Sequence, residues 1–165
     1  MRRYFALFVL FAALAVAATA TATSSSTRVA LRTTSIGHVL VGSNGHTLYM
    51  FGADRTKLST CYSACATSWP PLLAVGAPAA GTGVKASLLG TTKRKNGKLQ
   101  VTYAGHPLYF FSFDKAAGST KGEGLHAFGA SWWALSASGA KVLKPAGTTT
   151  TPPPTTTSPG GYPPR

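Results

Sequence analysis

Apolar and polar positions alternate along the middle of the chain in short bursts, each closed by a turn signal. The stretch HVLVGSNGHTLYMF, residues 38–51, sets Asn44-Gly45 between two strand-like runs. Asn-Gly is a strong hairpin signal because both residues accept a positive φ. KRKNGKLQVTYAGHPLYFF, residues 93–111, carries two such signals in succession, Asn96-Gly97 and Ala104-Gly105. The pattern predicts strands over 37–43 and 46–52 in the first half. In the second half it predicts a three-stranded meander over 90–95, 98–103 and 106–112. Pro107 falls near a strand start, where a missing N–H is tolerated.

The two halves repeat each other. GHTLYMFGAD, residues 45–54, recurs as GHPLYFFSFD, residues 105–114. Gly45, His46, Leu48, Tyr49, Phe51 and Asp54 thus match Gly105, His106, Leu108, Tyr109, Phe111 and Asp114. Alternation puts Leu48 and Met50 on one face and Tyr49 and Phe51 on the other, with Leu108 and Phe110 likewise opposed to Tyr109 and Phe111. Both faces are apolar, as in a strand covered on both sides. Each repeat then runs to a Ser-Trp pair, ending in Trp69 and Trp132. Within repeat one STCYSACATSW, residues 59–69, fits one short helical turn that Pro70 and Pro71 end. The expected fold is all-β: a small antiparallel domain, sandwich or barrel-like. It is built from two hairpin/meander repeats, about 36–75 and 90–139, packed about a pseudo-twofold axis.

The ends differ in composition. MRRYFALFVLFAALAVAATATA reads as a secretory signal peptide over 1–22: Arg2 and Arg3, then an apolar run, then small residues at a cleavage site. Residues 23–34 are Ser/Thr-rich and read as a linker, which leaves 35–145 for the β-domain. The tail, 146–165, is Thr/Pro-rich and too poor in apolar side chains to offset its ordering entropy, so it is expected to stay disordered. No transmembrane span is expected after cleavage, and the apolar run is short for one.

The chain carries sixteen basic and three acidic residues, a net charge of +13. Loss of the leader with Arg2 and Arg3 leaves fourteen against three, or +11. Neither a basic stripe nor a recognition motif for nucleic acid is present, and export argues against that partner. Solubility alone accounts for such a charge; as a binding feature its natural counter-surface is an anionic cell-wall polymer or lipid headgroup, with another envelope protein as the alternative partner.

The Tyr-x-aromatic-x-x-Asp pattern, the segment CYSACATSWPPL, the segment QVTYAGHPLYFF and the Gly-rich approach to a Trp together resemble a bacterial family. It is known as the secreted repeat of unknown function, and many of its members are predicted lipoproteins. The likeness spans nearly all of residues 36–139. It implies an extracytoplasmic protein and no established activity. The chain departs from the lipoprotein members in having no lipid-accepting Cys after the apolar run.

Candidate chemistry is sparse. Cys61 and Cys65 are the only cysteines; in an oxidising compartment a disulfide closing this short loop is the leading reading, with a redox pair, free thiols or metal as alternatives. The absence of C-x-x-C-H excludes c-type haem, and no cofactor is expected. His46 and His106 are repeat equivalents that a twofold axis could bring together on a metal, but each begins a strand, and His38 and His126 add no ligand spacing. Asp54 and Asp114 are expected to stop their strands by accepting backbone N–H groups one to three residues ahead. No nucleophile, metalloprotease or phosphate-loop motif occurs, so no catalytic residue is assigned. The features the repeats do not share, Lys93, Arg94, Lys95 and Lys98 with Tyr103 and Trp133, form the candidate binding surface. The residues favour a secreted, non-enzymatic binding or structural module of the cell envelope. A redox or metal-handling protein and an envelope hydrolase are the alternatives.

Overall fold

The computed structural model describes residues 26–143. The leader read at 1–22 and the tail read at 146–165 lie outside the described residues. The described residues form nine short strands: β1 (Arg28–Thr34), β2 (Gly37–Gly42), β3 (Tyr49–Phe51), β4 (Ala79–Ala80), β5 (Leu89–Lys93), β6 (Leu99–Tyr103), β7 (His106–Pro107), β8 (His126–Ala127) and β9 (Ala130–Ala134). One helical turn, α1 (Ala64–Ser68), precedes Trp69, and a 3-10 turn occupies Ala86–Leu88. The strands make three small sheets, ordered β2-β1-β4, β3-β9-β8 and β5-β6-β7. All pairings between these strands are antiparallel except β1 with β4, which is parallel. The fold is all-β, as the alternation predicted.

The predicted meander is present as the β5-β6-β7 sheet. Its first turn differs in type from expectation. Gly97 N–H donates to Arg94 O at 2.9 Å, and Arg94 N–H donates to Lys98 O at 2.9 Å, which makes a three-residue loop. The Asn44-Gly45 loop is built the same way, through Gly45 N–H to Gly42 O at 2.9 Å and Gly42 N–H to His46 O at 3.0 Å. In both, the Gly alone takes the left-handed conformation, with φ 76° at Gly45 and 81° at Gly97. This is the type I turn followed by a glycine bulge. At Ala104-Gly105 both residues are left-handed, so a two-residue turn stands where repeat one has a three-residue one.

One assignment is corrected. Residues 28–34, within the stretch read as linker, form β1, which pairs along its length with β2 from Val29↔Gly42 to Thr34↔Gly37. Val29 is fully buried. The stretch contains the β-branched residues Val29, Thr33 and Thr34, which favour strands, but its turn, Ser35-Ile36, has no Gly or Asn at its centre to mark a hairpin. The ordered fold therefore begins before residue 35.

The strand bearing the repeated motif separates two groups of buried side chains, which is why both of its faces are apolar. Tyr49, Phe51 and Tyr109 belong to one cluster with Trp69, Trp132, Cys61 and Cys65. Leu48 and Leu108 belong to the other, with Val29, Leu40, Leu72, Val101, Tyr103 and Leu135.

Candidate functional site

Tyr49 and Tyr109 face each other. Tyr49 N–H donates to Tyr109 O at 2.8 Å and Tyr109 N–H donates to Tyr49 O at 3.0 Å, so equivalent residues of the two repeats pair across a local twofold. Their side chains cross over. The Tyr49 hydroxyl donates to Asp114 Oδ2 at 2.6 Å, and the Tyr109 hydroxyl donates to Asp54 Oδ2 at 2.6 Å. Each repeat's Tyr is thus held by the other repeat's Asp. Both phenol pKa values are driven up from the ordinary tyrosine range, first by burial and then by the adjacent carboxylate.

The same exchange runs through the aromatic rings. Trp69 and Trp132 lie parallel with centroids 3.9 Å apart. Trp69 stacks outward on Phe111 at 4.3 Å and Trp132 on Phe51 at 4.1 Å. Four rings from alternating repeats form one column, with Tyr49 and Tyr109 set edge-on to Trp69 and Trp132. Gly122 makes room for it: a Cβ there would come within 2.8 Å of the Trp69 ring and 2.9 Å of the Tyr49 ring.

The aspartates do more than stop a strand, and their reach differs from the expected one. Asp54 Oδ1 accepts the Thr60 N–H at 2.7 Å and the Thr60 hydroxyl at 2.6 Å. Asp114 Oδ1 accepts the Lys121 N–H at 2.9 Å and the Ser119 hydroxyl at 2.8 Å. The loop donors lie five to seven residues ahead rather than one to three. Each carboxylate ties the following loop to the opposite repeat.

Symmetry ends at the second partner of each tyrosine. The Tyr49 hydroxyl accepts the Gly122 N–H at 3.3 Å. The Tyr109 hydroxyl instead meets Ser59 Oγ at 2.7 Å, and from there a buried polar chain continues. Arg94 Nη1 donates to Ser59 Oγ at 2.8 Å and to Gln100 Oε1 at 2.5 Å, and Arg94 Nη2 donates to Cys61 O at 2.6 Å. Gln100 Nε2 then donates to Leu108 O at 2.8 Å. Gln100 stands at the place occupied by Leu40 in repeat one, and both are fully buried.

Above this chain lies a cleft of about 500 Å³ between the loop Thr56–Tyr62 and the end of β5. Lys93 and Lys95 are exposed along it, whereas Arg94 between them is 4% exposed and forms part of its lining. The Tyr62 ring lies 4.5 Å from the Arg94 guanidinium carbon and 5.2 Å from Lys95 Nζ. The Tyr62 hydroxyl also accepts the Lys95 N–H at 3.1 Å. Tyr62 is held there by the disulfide Cys61–Cys65, which closes the loop carrying it.

The expected binding surface is therefore split. Lys93, Arg94 and Lys95 line the cleft, while Lys98 is exposed just beyond the turn and outside the lining. Tyr103, a candidate for that surface with a core position as the other reading, is fully buried: its hydroxyl donates to Ala137 O at 2.7 Å and accepts the Lys85 N–H at 3.2 Å. Trp133 is half-buried on β9, with Lys141 Nζ 5.0 Å from its ring centre, and lies outside the lining. His46 and His106 are half-buried; His106 begins β7, whereas His46 stands in the loop before β3. Among the described residues no group of three or more His, Cys, Asp or Glu is placed to share a metal ion. The lining from the 56–62 loop, Tyr62 above all, went unassigned in the sequence. For the other side of the cleft a signal was available in the alternation that runs past the end of β5, which buries Thr92 and Arg94 and exposes Lys93 and Lys95.

An all-β unit whose two halves exchange their Tyr–Asp hydrogen bonds and their stacked rings defines a two-repeat module. The sequence profile of the family described as "secreted repeat of unknown function" matches residues 30–73 and 90–136, and the chain belongs to that family. No curated protein and no solved structure matches it. The protein is secreted, and among the described residues no helix is long and apolar enough to cross a membrane.

Proposed function

We propose that this protein is a non-enzymatic binding module that attaches to an anionic polymer of the cell envelope. The observation that carries the reading is the charge balance, sixteen basic residues against three acidic ones. Two of the acidic residues, Asp54 and Asp114, are buried and engaged with tyrosines. The surface charge is left almost wholly positive, which favours association with a polyanion. The motif residues support the binding reading from the other side. The side-chain oxygens of Tyr49, Tyr109, Asp54 and Asp114 are occupied in holding the repeats and their loops together, which favours a scaffold role for them.

The test is retention of the purified protein on isolated envelope polymers. Retention at low ionic strength that falls steeply as salt is raised is the expected result, because exposed charge contacts are screened. Equal retention on charged and uncharged polymers, or none on either, would overturn it.

A further inference from the structure

We propose that the cleft beside Arg94 is a specific site for an oxyanion carried on a sugar or polyol, such as a phosphodiester or a uronate unit of a glycan. The inference rests on the envelope-binding reading and names the ligand and the place.

Burying a charge is costly unless it is compensated. Arg94 is 4% exposed, and its three hydrogen-bond acceptors, Ser59 Oγ, Gln100 Oε1 and Cys61 O, are all uncharged. The carboxylate connected to it, Asp54, is reached through two intervening hydroxyls, those of Ser59 and Tyr109. The guanidinium is held rigidly by neutral groups, so its positive field is left to act on the cleft above it. Lys93 and Lys95 lie along the same cleft and carry the same sign. Three cations converging on one concave space, without an acid among its lining residues, make a site that an anion completes.

The rest of the lining suits what carries the anion. Thr56 brings a hydroxyl that exchanges hydrogen bonds with a polyol, while those of Ser59 and Thr60 are engaged beneath it with Arg94, Tyr109 and Asp54. The Tyr62 ring and the exposed Leu58 offer the apolar surface on which the C–H face of a sugar packs. At about 500 Å³ the cleft is within the usual range for a small-molecule site and larger than a bare anion needs.

The experiment is calorimetric titration of the full secreted chain with four probes. These are a glycerol phosphate oligomer, a glucuronate-containing oligosaccharide, its uncharged parent and inorganic phosphate. The wild-type protein is expected to bind at least one of the two anionic saccharide or polyol probes, and the tighter of them identifies the anion. The uncharged parent and inorganic phosphate should bind at least tenfold more weakly, since each lacks half of the recognised group. K93S/K95S should weaken binding about tenfold, while K121S/K141S, which removes the same charge elsewhere, should change it less than about twofold. Equal losses in the two double variants would overturn the cleft and leave the general charge-driven reading standing. Failure of both anionic probes to bind, with envelope retention intact, would overturn the ligand class. Inorganic phosphate binding as tightly as the oligomers would overturn the role of the carrier.

Discussion

The contacts Asp54–Tyr109 and Asp114–Tyr49 are the same hydrogen bond made twice, each at 2.6 Å, yet their surroundings diverge one atom further out. Behind Tyr49 lies a backbone N–H from Gly122, and the polar network closes. Behind Tyr109 lies Ser59, and the network runs on to Arg94 and the cleft. The shared part of the motif holds two repeats together. The part that differs carries a buried cation of repeat two to a cleft that both repeats line. A duplicated scaffold of this kind leaves the positions its copies do not share free to form a site without loss of the fold.

The largest effect tests the shared part. Trp69 and Trp132 are both buried, and each stacks on the other and on the Phe of the opposite repeat. W69A and W132A should each cost about 3–5 kcal/mol in denaturant unfolding, by lost burial and an unfilled cavity. The two losses should agree closely. A cost below about 1 kcal/mol for either, against this large-to-small range, would mean that the ring column is not shared equally.

The crossed pairing predicts a specific pattern of coupling. Y109F removes a hydrogen bond to a buried carboxylate and should cost about 1.5–3 kcal/mol, and Y49F about the same. Y109F combined with D54N should be non-additive by about 0.5–3 kcal/mol, whereas Y109F with D114N should be additive within about 0.5 kcal/mol. Coupling within a repeat instead of between repeats would break the comparison. Unfolding midpoints of the singles and doubles decide it.

How much of this was legible in the sequence follows from what alternation can encode. Period-two patterning tells which side chains share a face, so Tyr49 with Phe51 and Leu48 on the opposite face were readable before any coordinates. It does not tell which strand lies across that face. The exchange of Tyr and Asp between repeats was therefore invisible, and a local Asx-turn seemed sufficient for Asp54 and Asp114. β1 was missed because Ser35-Ile36 is a turn without Gly or Asn at its centre. The burial of Arg94 was not legible because an Arg is usually exposed at its polar end. Here the Cys61 carbonyl oxygen is among the groups that satisfy it inside. The cleft needed Tyr62, and the disulfide that fixes Tyr62 drew attention to its own sulfurs instead.

The disulfide sharpens the asymmetry, since repeat two has no counterpart. Cys61 and Cys65 close a loop of five residues that holds Tyr62 beside Arg94. Replacing both with Ser should cost about 2 kcal/mol by the chain-entropy estimate for a loop of this length. Because Cys61 O is an acceptor for Arg94, the same variant should weaken ligand binding at the cleft while leaving the Tyr49–Asp114 side unaffected. Amide exchange at Gly122, whose N–H meets the Tyr49 hydroxyl, reports on that side. Faster exchange there, in step with the cleft, would show that the two sides are not separable.

The smallest effect at neutral pH is also the most symmetric. Tyr49 and Tyr109 both have pKa values raised above the ordinary range by burial and by their aspartates. Free tyrosine ionises near pH 10, so below about that value both states keep both protons and the tyrosines add no pH dependence. Above it the unfolded chain releases them while the folded chain retains them. Stability must then fall as pH rises, by about 1.4 kcal/mol per pH unit for each retained proton. Y49F and Y109F should each remove one such contribution from the alkaline slope, in equal measure, when unfolding is followed between pH 10 and 12. If Y109F removed much less than Y49F, the phenolate at Tyr109 would be tolerated in the fold. The cation that tolerates it would be Arg94, acting through Ser59, and the positive field assigned to the cleft would then be directed inward instead.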